Sequence, residues 1–461
     1  MSTPLPDSVD RVERLFDRFT PASDRTTVVF VLAMVTALVE AVTFGRVVAG
    51  AARPPMTPDA AVFQHAGWYL TEGGALYLDV WEPKLPLSYE TTAVLSLLTG
   101  GDPTRLHLAS VALMMTVTVG VVVLVGLLAH RLTHDLTASL LAGLSLFVLP
   151  GFAVRPVYGY KAKYLLLFAG LLCLYLALQE FPAAAGVAGA AAVGYWQLGL
   201  VFPLVALGLF ARDRRRLARV VVGGAVLTLV MLLPVLATDG LAAMVVQTLV
   251  VPLSIPETTP LGYRLYAGVV HFRWGTPLVL AGVAGLALLA RENPRTGWWT
   301  LVPAAWFGVV VFTVDFEVGG YTDLVPGLAF VALGVGVFVH RARRWRLRRA
   351  TRLALAAVVL VNVVVLGSVG LLFPPVDTPA PKPMSDLVVT DDGSVQESPY
   401  PPADTPSVEY VYWNQVRPES CHYRWSGMEL DWLAHTDGRD ACRGGDAGAI
   451  LDAWLPSWLS G

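Results

Sequence analysis

Charge is scarce in this chain. Only 15% of its 461 residues are Asp, Glu, Lys or Arg, against 55% hydrophobic residues and a mean hydropathy of +0.59. A soluble protein carries roughly a quarter charged residues, so the composition excludes an ordinary soluble domain. Cysteine is scarcer still, at three. Cys173 lies inside an apolar run and reads as an inert small hydrophobe. Cys421 and Cys442 lie near the polar C-terminus, and whether they pair depends on which side of the membrane holds them. Several catalytic signatures are missing: there is no Walker loop, GxGxxG turn, HExxH or CxxC pair. Their absence weighs against an ATP-driven pump or a zinc peptidase. No repeat of fixed period is evident.

What is present is a series of long apolar runs. Stretches such as 111–129 and 220–236 are almost free of charge, as expected of an all-α polytopic membrane protein. Residues 1–25 form a polar arm with Arg11, Arg14, Arg18 and Arg25, cytoplasmic by the positive-inside rule. The arm does not resemble a cleaved signal peptide, and the run 26–49 behind it is long enough to stay as the first span. Glu40 and Arg46 inside that span need partners or an interfacial position. Further spans are expected at 105–128, 136–152 and 164–178, then as two short spans within 183–210 broken at Tyr195-Trp196-Gln197. The rest are expected at 220–236, 274–290, 298–314, 324–339 and 353–373. Ser88, Glu90, Thr91 and Thr92 interrupt 86–98, which is expected to lie at the interface.

About eleven spans result, and they place the basic clusters 212–219 and 340–352 inside. The membrane domain is then 26–373, with outer loops 50–104 and 239–273, a cytoplasmic N-terminus and an extracytoplasmic C-terminal region. Residues 374–406, rich in Pro, Asp, Thr and Ser, read as a linker. Residues 407–461 carry Tyr410, Tyr412, Trp413, Trp425, Trp432, Trp454 and Trp458 and read as a small folded module. On the outer side, Cys421 and Cys442 are expected to form a disulfide stapling a domain too small to build much core, with two free thiols as the alternative.

The stretch 59–90 organises the rest. It is too polar and Gly-rich to cross a bilayer and too long for a plain connector, and it mixes carboxylates, a lysine and aromatics. Its order is Asp59, the turn Gly73-Gly74, then Tyr77-x-Asp79-x-Trp81-x-x-Lys84-x-Pro86. This pattern resembles the first outer loop of the GT-C fold glycosyltransferases, which include the dolichyl-phosphate-mannose dependent mannosyltransferases. A weaker echo, Tyr321-Thr-Asp-Leu-Val-Pro326, is similar to the Tyr-x-x-x-x-Pro entry into a late span of that superfamily. The stretch from Cys421 to Glu429 is similar to the tail of its archaeal members. The WWDYG signature of the oligosaccharyltransferase branch is not matched, since Trp298-Trp299 is followed by Thr300-Leu301. The resemblance implies a GT-C-like membrane enzyme. It would move a hexose, mannose by preference, from a polyprenyl or dolichyl phosphate carrier to a glycan or protein acceptor on the outer face, with inversion.

The residue chemistry supports this. Transfer from a lipid phosphate needs a base for the acceptor hydroxyl and cations for the departing phosphate. Asp59 is the candidate base, although Pro58-Asp59 before an apolar run is also a good helix cap. Asp79 is a second catalytic candidate, to position the acceptor or orient Lys84, with a structural salt bridge as its alternative. Lys84 is a candidate phosphate contact, its alternative being snorkelling beside Trp81. Arg155, Lys161 and Lys163 break the positive-inside rule by lying outside, which calls for an anion such as a lipid phosphate. Arg264 and Arg273 follow the same logic in the second outer loop. Tyr77, Trp81, Tyr158 and Tyr321 are substrate-contact candidates, with interfacial aromatic belts as the common alternative. No nucleotide or redox cofactor is needed; a divalent metal on Asp59, Asp79 or Glu82 is not demanded by any spacing. Membrane lipids are expected partners and nucleic acid is not. The rival readings are a secondary transporter, which needs polar residues near the bilayer midplane where these spans are bland, and a non-catalytic surface scaffold. The Ala-, Val- and Arg-rich bias with an acidic outer module suggests a high-GC or salt-adapted prokaryote such as an archaeon.

Overall fold

The computed structural model describes residues 23–344 apart from 50, 52, 150, 255–259, 273–274 and 311–320, five positions between 353 and 360, and the segments 408–417 and 447–454. Among the described residues the architecture is helical, with one isolated bridge, Leu76 to Val80.

The first long helix, α1 (Asp24–Val48), starts where the Ser23 side chain accepts the Thr26 N–H. Two short helices follow, α2 (Pro58–Thr71) and α3 (Leu87–Thr99). They run side by side in the same direction. The Thr92 hydroxyl donates to the Phe63 carbonyl, Thr71 meets Ser96, and Gly67 is where the two backbones touch. The stretch expected at the interface is thus a short helix braced against the helix that carries Asp59. The next helix, α4 (Pro103–Thr133), is capped by Asp102, whose carboxylate accepts the Arg105 N–H at 2.8 Å.

Beyond α4 come α5 (Leu136–Leu144), α6 (Ala162–Leu178), α7 (Pro182–Tyr195), α8 (Val201–Phe210) and α9 (Arg214–Ala237). The break expected in 183–210 is present: Trp196 is extended, with φ −163° and ψ 137°, and the chain reverses there. Gly189 faces Pro203 and Gly199 faces Ala192, so α8 folds back along α7. In turn α9 runs parallel to α7, with Gly186 against Val220 and Gly194 against Met231. Four more helices follow: α10 (Leu261–Phe272), α11 (Thr276–Glu292), α12 (Pro294–Val310) and α13 (Leu324–Arg344). Helices α11 and α13 cross on glycine: a Cβ on Gly285 would overlap the Gly334 carbonyl, and one on Gly334 the Gly282 carbonyl. Small residues at such a crossing let two backbones approach closely, which drives helix association in lipid.

Two ends of the bundle are chemically distinct. One gathers the ion pairs Arg216–Glu180, at 3.2 Å, and Arg341–Glu292, at 2.5 Å, with His340 beside Asp135 at 3.7 Å. The other holds α2, α3, the 155–163 turn, Trp196 and Asp323. Among the described residues four helices, Asp24–Val48, Pro103–Thr133, Arg214–Ala237 and Leu324–Ala342, are long and apolar enough to cross a membrane. The number rises to six if each of two bent pairs is one span. The expected eleven therefore depend on counting short apolar helices such as Ala162–Leu178 and Pro182–Tyr195 as tilted spans. The last expected span, 353–373, lies mostly outside the described residues. Glu40 is fully buried on α1, and among the described residues neither of its oxygens has a hydrogen-bond partner.

Two pieces of the C-terminal region pack on the site end. Helix α14 (Val408–Trp413) lies on α2: the Tyr412 hydroxyl donates to the Pro103 carbonyl, His65 contacts the Val416 carbonyl at 2.7 Å, and Arg417 pairs with Glu72 at 2.6 Å. Helix α15 (Ala447–Trp454) contributes Ile450 to a cluster with Trp81, Val246, Val250 and Val251. The linker 374–406 and both Cys421 and Cys442 lie outside the described residues. Cys173 is buried, its thiol 3.7 Å from the Phe202 carbonyl, as an inert packing residue should be.

Candidate active site

Asp59 is the second residue of α2, and Thr57, not Asp59, caps that helix through its hydroxyl, which accepts the Ala60 N–H. The carboxylate is thereby free of capping duty, although the helix N-terminus still favours its charge. It pairs with Lys161, and Arg155 Nη2 lies 3.8 Å away. Asp59 keeps 51% of its side-chain surface exposed. Burial alone would raise its pKa. The positive charges of Lys161 and Arg155, the Lys161 hydrogen bond and the more distant Lys163 outweigh burial and hold it well below the usual carboxylate range.

The turn that delivers these cations is tightly built. Arg155 is buried, and its guanidinium donates to the carbonyls of Gly159 and Tyr160, each at 3.4 Å. Gly159 has φ +98°, and a Cβ there would meet the Gln64 amide, His107 and Ala60. His107 is held from both ring nitrogens, by Gln64 Oε1 at 3.2 Å and the Pro55 carbonyl at 3.1 Å. The positive φ and the close approach together explain why this position is glycine.

Two residues beyond Lys161, Lys163 pairs with Asp323, which is only 4% exposed and begins the entry to α13. Its ammonium also lies 3.7 Å from the Trp196 ring centroid, while Lys84 approaches the same ring at 4.6 Å. Contacts of this kind are worth about 0.5–1 kcal/mol when exposed and about 2 or more when desolvated. One indole, at the reversal between α7 and α8, thus gathers a lysine from the first outer loop and one from the start of α6. Among these six ionic groups, Lys84, Arg155, Lys161 and Lys163 outnumber Asp59 and Asp323 by four to two.

The other expected residues fall elsewhere. Asp79 accepts the Ala75 N–H at 2.8 Å and closes its own turn. Tyr77 is fully buried, and its hydroxyl donates to the Lys84 carbonyl at 2.6 Å. Trp81 is 1% exposed, packed with Val246 and Ile450. Both rings are buried in this structure. Tyr158 is also buried. Arg264 is buried on α10; Arg273 and the side chain of Tyr321 lie outside what is described. Trp196 and Asp323 were missed by sequence reasoning, although Trp196 stood inside the expected break and Asp323 inside the Tyr321–Pro326 echo.

Glu90 on α3 is the neighbouring carboxyl whose behaviour stands out: burial pushes its pKa up to about 7. The folded state therefore holds a proton that the unfolded chain releases near pH 4.5, so stability should fall as pH rises from about 4.5 through 7. Glu90→Gln should flatten this dependence. Thermal unfolding in detergent at pH 5 and pH 8 checks it, with the variant gaining on the wild type at pH 8; equal shifts at both pH values count against it.

A profile of the DolP-mannose mannosyltransferase family matches residues 73–233. The dolichol phosphate-mannose mannosyltransferase of Haloferax volcanii is 30% identical over 433 residues, 88% of this chain and 93% of that protein. Two solved structures share the fold. ArnT from Cupriavidus metallidurans, bound to undecaprenyl phosphate, superposes with a TM-score of 0.59 at 16% identity, covering 88% of each chain. The Archaeoglobus fulgidus oligosaccharyltransferase, tethered to an acceptor peptide, superposes with a TM-score of 0.51 at 13% identity, covering 78% of this chain and 56% of that one. The chain is a multi-pass membrane protein that belongs to the dolichol phosphate-mannose mannosyltransferases, enzymes that transfer mannose from a polyprenyl phosphate carrier.

Proposed function

We propose that this enzyme works at the extracytoplasmic face, transferring mannose with inversion to a hydroxyl of a surface glycan or protein. One observation supports it above the rest: Asp59, half-exposed, faces Lys161 and Arg155 in a cation cluster that continues to Lys163 and Lys84. This group lies at the end of the bundle opposite the 212–219 cluster, which is the outer end by the positive-inside rule.

In the proposed step, Asp59 takes the proton of the acceptor hydroxyl as its oxygen attacks the anomeric carbon. The bond from that carbon to the phosphate oxygen breaks, and its electron pair stays on the lipid phosphate. Lys161, Arg155, Lys163 and Lys84 stabilise the charge that develops there. The arrangement also gives a reason for the low proton affinity of Asp59, which Lys161 and Arg155 face directly. A bound phosphate competes for Lys161 and Arg155, so the carboxylate becomes more basic when the donor is in place. Asp79 serves by shaping the loop that carries Lys84, and Arg264, Arg273, Tyr158 and Tyr321 remain candidates for the donor and acceptor walls.

The test is sided transfer. In vesicles with the enzyme in one orientation and labelled dolichyl-phosphate mannose offered to either face, label should reach acceptor only from the face opposite the basic clusters, and with the anomer inverted. Transfer from the basic face alone would overturn the sidedness. Mannose uptake without transfer would favour the transporter reading.

A further inference from the structure

We infer that Gln247 and Gln197 are positioning residues for Lys84, and that the widened helical turn Val246–Val250 presents Gln247 to the loop that carries it. The inference rests on the phosphate-binding role proposed for Lys84 above.

Lys84 lies on a loop with no helix or strand of its own between Leu76 and Leu87. The loop nevertheless contains a strained residue. Tyr77 has φ +69°, a conformation that persists in a non-glycine residue only where the surroundings over-determine it. The surroundings here are two glutamines from different elements. Gln247 is fully buried; its Nε2 donates to the Tyr77 carbonyl at 2.8 Å, and its Oε1 accepts the Glu82 N–H at 2.9 Å. Gln197, at the α7–α8 reversal, donates from Nε2 to the Pro83 carbonyl at 3.0 Å and to the Thr248 carbonyl at 2.9 Å. The Tyr77 hydroxyl then holds the Lys84 carbonyl. The backbone is therefore fixed at Tyr77, Glu82, Pro83 and Lys84, and the residue next to Gln197 is Trp196, which receives the lysine ammonium.

The turn from Val246 to Val250 has π-helical hydrogen bonding. Such turns insert a residue into a helix, re-aim its side chains and frequently mark functional sites. Here the re-aimed side chain is the only described one that bonds both a carbonyl and an N–H of the Lys84 loop. An apolar residue at 247 would leave the Tyr77 carbonyl and the Glu82 N–H without it in a buried place. That is the costly way to lose a hydrogen bond.

The experiment is a mutant cycle on binding, which needs no acceptor. The full-length protein in detergent is titrated with dolichyl phosphate, and Kd is measured for the wild type, Gln247→Leu, Lys84→Met and the double variant. Gln247→Leu should weaken binding by about tenfold. In the Lys84→Met background the same change should cost less than about twofold, because a positioning residue has nothing left to position. Gln247→Glu keeps the acceptor for the Glu82 N–H and loses the donor to Tyr77, so it should fall between. It carries the same cycle if the leucine variant loses the fold. Equal losses in both backgrounds, or no loss in either, overturn the inference. Lys84→Met with unchanged Kd overturns instead the phosphate role of Lys84, a separate result read from that variant alone.

Discussion

Asp59→Asn should lower the rate of mannose transfer by on the order of 10²–10⁴-fold, the usual contribution of a positioned general base. The change is isosteric and leaves α2 capped by Thr57, so the fold should survive. The carboxamide cannot take the acceptor proton. It also releases Lys161 and Arg155 from a competing carboxylate, so donor affinity should hold or rise while kcat falls. That split separates loss of the base from general damage, which would raise donor KM as well. The pH dependence adds a second check. The Asp59 carboxyl is held below its ordinary range, so the free enzyme keeps it ionised throughout neutral pH. Its contribution to stability is present above about pH 4 and is lost only as pH falls through its lowered value. The profile of kcat/KM should therefore show no acid limb from this group between pH 5 and 8. Initial rates of labelled mannose leaving dolichyl phosphate, in membranes holding the native acceptors, supply both measurements. Undiminished turnover in the Asn variant removes Asp59 as the base.

Lys163→Met should produce the second large effect, and in two quantities at once. Its ammonium is one of the charges proposed to meet the departing phosphate, and removal of one such group costs about 10²–10³ in kcat. It also neutralises Asp323, which is almost fully buried. Breaking a buried pair by deleting one member costs about 3–5 kcal/mol, because a charge is left in a poor solvent. The double variant Lys163→Met with Asp323→Asn separates the two roles. Thermal stability should largely return, since residue 323 then carries no charge that needs a counter-ion, while turnover should stay low. Recovery of turnover together with stability would show that Lys163 serves the fold alone.

The broad chemistry was legible in residues 59–86 and 155–163 because lipid-phosphate transfer demands particular groups. A carboxylate just beyond a span and cations on the wrong side of the charge rule are unusual enough to be read in one dimension. The helical hairpin was legible too, because an aromatic and polar triplet in the middle of an apolar run cannot stay in lipid as a straight helix. Tyr77 and Trp81 show the limit. Motif membership marked them as contacts, and the structure shows both rings buried within the loop that carries Lys84. Asp79 likewise closes the turn from Ala75. Gln247 carried no signal and Gln197 marked only the break, since a glutamine in an apolar run acquires its further meaning through the backbone groups it meets.

By itself the sequence determined that this chain lives in a membrane, that the apolar run 183–210 breaks at Trp196, and that Asp59, Lys84, Arg155, Lys161 and Lys163 belong to the loops of one face. Those properties follow from composition and local spacing, and each is decided within a few dozen residues. Tertiary structure alone decided that Lys84 and Lys163 share one indole, that Asp323 balances Lys163, and that Asp59 meets a lysine 102 positions later in the chain. Such contacts depend on how helices pack, and packing is set by side chains far apart in sequence, down to the glycines that let α11 and α13 touch.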